Sequence, residues 1–202
     1  EINIFNEQSK PFNYSRAMNY GVSVAKYNNI ILINNDIEIK TKYWGQIICK
    51  LLEDINIGII GSKLLNPNGS IQHLGIEFDF RLGAKEITCN LNDEENFKAN
   101  KLYIESRAVT GAFMAFRKDL YKKLGGMNEY IFPLTFNDVH ICLKSIERGY
   151  KNICMINFNI LHKKKATRKS IINTLRSKIK RRIERFCIKI RIIIHLFLIR
   201  IK

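Results

Sequence analysis

Asn34, Asn35 and Asp36 follow directly on four apolar residues, Ile30, Ile31, Leu32 and Ile33. An apolar run of that kind reads as a buried strand, so the carboxylate of Asp36 arrives where a strand leaves the core. In an open α/β sheet, ligands bind beyond the carboxyl ends of the strands. A carboxylate there suits a hard cation, Mg²⁺ or Mn²⁺, bridged to substrate phosphates. The same triplet also suits a turn that caps the helix beginning near Thr41, because Asn and Asp favour both jobs. On these three residues alone, both readings stand. Asp138, which opens a later amphipathic stretch, is in the same position: its carboxylate is available for chemistry and is also a good helix N-cap. Arg16 offers a guanidinium that can grip phosphate or a base edge bidentately, and serves equally as an exposed helix residue. No P-loop, GxGxxG, HExxH or nucleophile-elbow pattern is present, so nothing supports those enzyme classes.

The elements that must position these groups alternate. Ser15 to Lys26 places Ala17, Met18, Val22 and Ala25 at helical spacing with Ser15 as its N-cap, and the strand at Ile30 follows after a short polar turn. Thr41 caps a second amphipathic stretch carrying Trp44, Ile47, Ile48, Leu51 and Leu52, and "IGIIG" at Ile57–Gly61 is another buried strand. This rhythm predicts an α/β layer with parallel strands. "NPNGS", Asn66 to Ser70, is a turn leading into extended material up to Phe80, and the polar stretch from Asn90 to Lys101 is a surface loop or short helix. Ala108 to Arg117 has a strand pattern. Asp119 to Leu124 is a short helix ending on Gly125 and Gly126, which suit a left-handed cap. Asp138 to Arg148 is a further helix, and "NICMI" a strand.

In their order, "FNYSRAMNYGVSVAKYNNIILINNDIEI", "LNPNGSIQHLGIEF" and "VTGAFMAFRKDLYKKLGGMNEYIFPLTFNDVHICLKSIERGYKNICMINFNILH" resemble the family 2 glycosyltransferases, in their bacterial rhamnosyltransferase-like branch, over roughly Phe12 to His162. The resemblance implies a GT-A fold, a mixed α/β sheet flanked by helices, and inverting transfer of a sugar from a nucleotide-diphosphate donor to a glycan or lipid-linked acceptor. It puts "NND" in the place of the DxD motif. Asp36 then holds a divalent metal against the donor diphosphate, where Mn²⁺ or Mg²⁺ neutralises the departing charge, and Asn34 and Asn35 line the same donor site. Asn34 stands where many members have an Asp. Arg16 and Asn19 match residues that hold the nucleotide. Thr110, Gly111 and Asn137 match the cleft for donor sugar and acceptor, with Gly111 allowing close backbone approach. Asp138 matches the general base that takes the acceptor proton. His162 matches a histidine that completes the metal site, for which a neutral imidazole suits Mn²⁺ better than Mg²⁺. His140 departs from the branch, which commonly has an acid there, and His73 belongs to the branch pattern without an assigned role. Nothing before Phe12 resembles the family's first strand, helix and second strand. The expectation is therefore a chain lacking the first nucleotide-binding half, with little or no turnover alone. The alternative is a catalytically inactive GT-A-like module acting as a membrane-associated interaction protein.

At 202 residues and 46% hydrophobic, the chain suits one domain with a substantial core. The five cysteines are scattered and form no CxxC pair, which fits a reducing compartment and argues against zinc or a disulfide frame. The net charge of +16 is uneven: residues 163–202 hold 15 Lys and Arg against the single acid Glu184, leaving residues 1–162 nearly neutral. The expected division is a partial GT-A domain over 1–162 and a basic amphipathic tail over 163–202. Within the tail, residues 170–202 keep apolar residues at steps of three or four, from Ile172 to Ile201. Its longest uncharged run, Ile192 to Ile199, is eight residues, and a spanning helix needs about 20. A basic amphipathic helix suits an anionic membrane surface, with packing on its own body or a partner as the other reading. Few aromatic groups are available for stacking on nucleic acid. The expected location is cytoplasmic, on the inner face of the cell membrane.

Overall fold

The computed structural model describes residues 11–79, 83–86 and 101–163. The chain divides into two compact units, Glu1–Glu77 with Glu86–Lys163, and Phe78–Lys85 with Lys164–Lys202. The candidate site lies in the first, and the expectations for the loop at 90–100 and for the basic tail beyond Lys163 lie outside the described residues.

The alternation of helix and strand is present, and the main sheet is mixed, as the family resemblance implies, rather than parallel, as the rhythm alone predicts. It runs in the order β1 (Asn29–Ile33), β9 (Phe113–Arg117), β3 (Ile57–Ser62), β10 (Lys151–Met155), β8 (Tyr103–Glu105). β3 and β10 are parallel, while β9 is antiparallel to both β1 and β3, and β8 is antiparallel to β10. The carboxyl ends of β1, β3 and β10 and the amino end of β9 therefore lie along one edge. A second sheet, β2 (Ile37–Ile39), β11 (Ile160–His162), β4 (Leu64–Leu65) and β5 (Ile71–His73), is built from the segments that leave that edge. β6 (Ile76–Asp79) and β7 (Gly83–Glu86) make a two-stranded sheet of their own.

Helices cover both faces of the main sheet. α2 (Trp44–Leu51) buries Ile48 in a cluster with Ile57, Ile60, Phe113, Ile153 and Met155, and Trp44 meets the Phe113 ring edge-on at 6.1 Å. α4 (Asn137–Glu147) lies on β3 and β10. A Cβ added at Gly58 would fall 2.1 Å from Ser145 Oγ of α4. Successive strand residues point to opposite faces, so Ile57 toward α2 and Gly58 toward α4 set the two helices on opposite sides. α1 (Tyr14–Val24) and α3 (Lys118–Lys123) complete the layer.

Three helix starts differ from expectation. Asn13 caps α1, its Oδ1 accepting from the Arg16 N–H at 3.0 Å, and Ser15 sits buried inside the first turn, its hydroxyl donating to the Phe132 carbonyl. Thr41 does not cap α2; its Oγ1 accepts from the Asn159 N–H at 2.6 Å, and the cap position falls to Tyr43 at φ 55°. Asp138 is not the cap of α4 either, since Phe136, at φ 62°, occupies that place. The strand expected over Ala108–Arg117 begins only at Phe113, because a turn at 110–112, closed by the Phe113 N–H on the Thr110 carbonyl, precedes it. Gly125 and Gly126 close α3 at φ 78° and 64°, as their left-handed freedom predicts. Cys142 and Cys154 are buried, and burial pushes the Cys154 thiol up to about 12, which keeps it neutral.

Candidate active site

β1 ends and its chain turns at Asn34–Asp36 into β2. β2 pairs antiparallel with β11 so that His162 faces Ile37, and the Lys163 N–H donates to the Asp36 carbonyl at 2.8 Å. This register brings Asp36 beside His162 although they are far apart in sequence. Asp36 Oδ1 and His162 Nε2 stand 3.1 Å apart, and both side chains are largely covered. Asp36 Oδ1 is buried and accepts no aligned hydrogen bond among the described residues. On its other side, His162 Nδ1 lies 2.6 Å from Gln72 Oε1 of β5.

The turn at 110–112 joins this corner to Asp138. The Asn34 N–H donates to the Ala112 carbonyl at 3.0 Å, which ties the end of β1 to the start of β9. The Gly111 N–H donates to Asp138 Oδ2 at 2.9 Å, and the Thr110 N–H donates to His73 Nε2 at 3.3 Å. Tyr14 closes the same turn from α1, its hydroxyl donating to the Gly111 carbonyl at 3.0 Å. Asp138 lies in the first turn of α4, where Oδ1 accepts from the Val139 N–H at 2.9 Å. Asn137 is buried beside it, with Oδ1 accepting from the Asp138 N–H at 2.8 Å. Both oxygens of Asp138 are thus aimed by backbone donors, and the residue stays partly open to solvent. A Cβ built at Gly111 would meet Tyr14 Oη at 3.4 Å and Asp138 Cβ at 3.5 Å, ordinary contacts, so the glycine is not sterically required by the chain itself.

Of the residues read from the sequence, Asn34, Asn35, Asp36, Thr110, Gly111, Asn137, Asp138 and His162 gather at the carboxyl edge of the sheet. Arg16 and Asn19 face the segment after α3. Arg16 Nε bonds Glu129 Oε2 at 2.8 Å. Asn19 Oδ1 accepts from Tyr121 Oη at 2.7 Å and from the Met127 N–H at 3.0 Å, and its Nδ2 donates to the Met127 carbonyl at 2.9 Å. Sequence reasoning missed Gln72, for which no local pattern gave a signal. A cleft of about 470 Å³ lined by Glu77, Glu105, Arg107, Ile146 and Lys151 lies at the opposite, amino end of β10. Its charges are paired, Lys151 with Glu105 and Arg107 with Glu77, and it holds none of these residues.

Could this corner hold a metal? Among the described residues no group of three or more His, Cys, Asp and Glu forms a cage. A carboxylate oxygen beside an imidazole nitrogen is nonetheless a donor pair that suits Mn²⁺, since such ions are commonly held by one or two protein groups and complete their shell with water and substrate phosphate.

Residues 2–182 match the glycosyltransferase-like family. The chain belongs to that family. This glycosyltransferase-like chain is 28% identical over 162 residues to the protein y4gI of Sinorhizobium fredii, covering 79% of itself and 18% of the relative. It is 26% identical over 169 residues to the O-antigen biosynthesis protein RfbC of Myxococcus xanthus, covering 79% of itself and 13% of the relative. The chain therefore spans less than a fifth of the length of these curated relatives. Among solved structures, a crystal structure of GalNAc-T7 with UDP, GalNAc and Mn²⁺ superposes with a TM-score of 0.58 at 15% identity, covering 77% of this chain and 31% of that one. The likeness establishes the mixed-sheet GT-A fold of the glycosyltransferase-like chain.

Proposed function

We propose that this chain carries the metal-binding and acceptor-activating part of an inverting glycosyltransferase, which moves a sugar from a nucleotide-diphosphate donor to a glycan or lipid-linked acceptor. The observation that carries the reading is the convergence of Asp36 with His162, and of Asp138 with Gly111, on the two sides of one three-residue turn. Family membership supports sugar transfer. The name of the Myxococcus relative supports a cell-envelope polysaccharide as product, and an envelope acceptor together with the basic tail supports action at the inner face of the membrane.

In this reading Asp138 accepts the proton of the acceptor hydroxyl as that oxygen bonds to the sugar carbon and the bond from that carbon to the diphosphate oxygen breaks. Its orientation comes from the Gly111 and Val139 N–H groups, which leave the carboxylate free to receive a proton on its open side. A single carboxylate acting this way gives inversion. Asp36 and His162 are the residues that would hold a divalent cation, which would supply Lewis-acid neutralisation of the leaving diphosphate's charge. Asn34, Asn35, Arg16 and Asn19 border the donor, and Thr110 and Asn137 border the sugar and acceptor.

The test is calorimetric titration of UDP, GDP and dTDP into the purified chain with and without Mn²⁺. At least one nucleotide should bind in a Mn²⁺-dependent way, Asp36→Ala should abolish that binding, and Asp138→Asn should leave it intact. A wild-type chain that binds neither metal nor nucleotide would instead favour the inactive, membrane-associated module.

A further inference from the structure

The orientation of His162 is decided by a chain of hydrogen bonds in the "NPNGS" turn, and the protons in that chain can be assigned one by one. The Ser70 N–H donates to Asn68 Oδ1 at 3.1 Å, so that atom is an oxygen and can only accept. Ser70 Oγ lies 2.7 Å from the same oxygen and must use its one proton there. Ser70 Oγ therefore accepts from Asn66, which fixes Asn66 Nδ2 at 2.9 Å on that side and turns Asn66 Oδ1 toward Gln72. Gln72 Nε2 donates to that oxygen at 3.0 Å. Its Oε1 is then the atom 2.6 Å from His162 Nδ1, so Nδ1 carries the proton. The assignment rests on the network as a whole, as amide and imidazole assignments must. Gln72 and His162 are both buried, so few other geometries are open to either.

With the proton on Nδ1, Nε2 is the ring nitrogen left to face Asp36 Oδ1, 3.1 Å away. A Nε2–H tautomer would instead give that oxygen a hydrogen bond. We propose that Gln72, set by the Asn66–Ser70 turn, is the positioning residue that holds His162 in its Nδ1–H form, so that Nε2 and Asp36 Oδ1 together face a divalent cation. This deepens the metal reading given above and rests on it for the identity of what the two atoms hold. β5 supports the site through both of its neighbouring polar side chains: Gln72 orients His162, while His73 accepts from the Thr110 N–H beside Asp138's anchor.

The experiment uses the full chain labelled with 15N-histidine, with His162 assigned by comparison with His162→Gln. Long-range 15N–1H correlation spectra of the metal-free protein at pH 8 should report a proton-bearing Nδ1 in wild type and in Gln72→Glu, which keeps an acceptor facing the imidazole. In Gln72→Leu the proton should move to Nε2, where Asp36 accepts it, and Ser70→Ala should show a partial shift in the same direction. Mn²⁺ affinity, read by electron paramagnetic resonance of the free ion, should fall about 10- to 100-fold in Gln72→Leu and only a few-fold in Gln72→Glu. A wild-type Nδ1 without its proton, or an Nδ1 that keeps it in a folded Gln72→Leu, overturns the proposal. If the proton follows residue 72 but wild type binds no Mn²⁺, the positioning role stands and the metal reading of the site fails.

Discussion

Asn19 and Gly126 offer a test in which the structure supplies every contribution. Asn19→Ala removes three hydrogen bonds, to Tyr121 Oη, to the Met127 N–H and to the Met127 carbonyl. At about 0.5–1.5 kcal/mol net for each, the sum is roughly 1.5–4.5 kcal/mol. Because the Met127 N–H keeps a second partner in Tyr121 Oη at 3.2 Å, the expected loss is toward the lower half, about 2–3 kcal/mol. Gly126→Ala puts a side chain at φ 64°, which costs about 1–2 kcal/mol for the left-handed backbone. The new Cβ also falls 2.8 Å from Asn19 Oδ1 and 3.1 Å from Tyr121 Cε1, adding a further ~1 kcal/mol or more of overpacking. The double variant loses the Oδ1 clash and keeps the backbone strain. It should therefore be less destabilised than the sum of the singles, by about 1 kcal/mol. Urea unfolding followed by circular dichroism measures all four corners of the cycle. Additive singles would refute the clash, and an Asn19→Ala loss under about 0.5 kcal/mol would refute the anchoring role and return Asn19 to the nucleotide alone.

Gly61→Ala should be among the most damaging single changes in the sheet, because its Cβ would lie 2.4 Å from Val109 Cβ. Expression and thermal melting should show a loss of several kcal/mol, roughly the upper end of overpacking costs, and Val109→Ala should not rescue it, since the contact is with Cβ itself. The His140 imidazole, tilted at 37° against the Phe132 ring with centroids 4.8 Å apart, is held below its ordinary pKa first by burial and then by Lys144, with Glu147 acting the other way. The folded state therefore binds its proton less readily than the unfolded one, so this contribution to stability is present above about pH 6.5 and is lost as pH falls through the depressed value. Urea midpoints at pH 7.5 and 5.5 should differ less in His140→Gln than in wild type; equal differences would refute it. The tail, with 15 basic residues against one acid over residues 163–202, should carry the chain to anionic but not neutral vesicles in flotation, with release by added salt. Equal recovery on both lipids would exclude an electrostatic attachment.

Much of this architecture could be read locally. The apolar run before Asn34 is β1, "IGIIG" falls within β3, the Gly125–Gly126 pair closes α3, and "NPNGS" is a turn. Each rests on short-range chemistry that a local pattern expresses. What failed was set by distant contacts. Ser15 has the chemistry of a cap, but the Phe132 carbonyl claims its hydroxyl and buries it. Tyr43 and Phe136 hold left-handed cap positions that aromatic residues rarely adopt, so no propensity points to them. The parallel expectation missed β9 because strand order depends on which elements cross the sheet, and hydrophobic periodicity carries no record of that. Asp36 was visible as a strand-end carboxylate, whereas its neighbour His162 is supplied by the β2–β11 register. The resemblance could name the histidine, but only the register shows why it belongs beside the acid.

The turn at 110–112 joins three elements of the fold through its own backbone. Three consecutive backbone groups each hold a different element: the Thr110 N–H holds β5 through His73, the Gly111 N–H holds α4 through Asp138, and the Ala112 carbonyl holds the end of β1 through the Asn34 N–H. The last of these engages no side chain at all, and the first two specify only the partner residue, leaving the turn itself free to vary. A Cβ fits at Gly111, which is consistent with that freedom. Main-chain hydrogen bonds fix geometry without fixing the side chains of the turn. In the proposed reading the chemistry then falls to few side chains, those of Asp36, His162 and Asp138, with Gln72 orienting the imidazole.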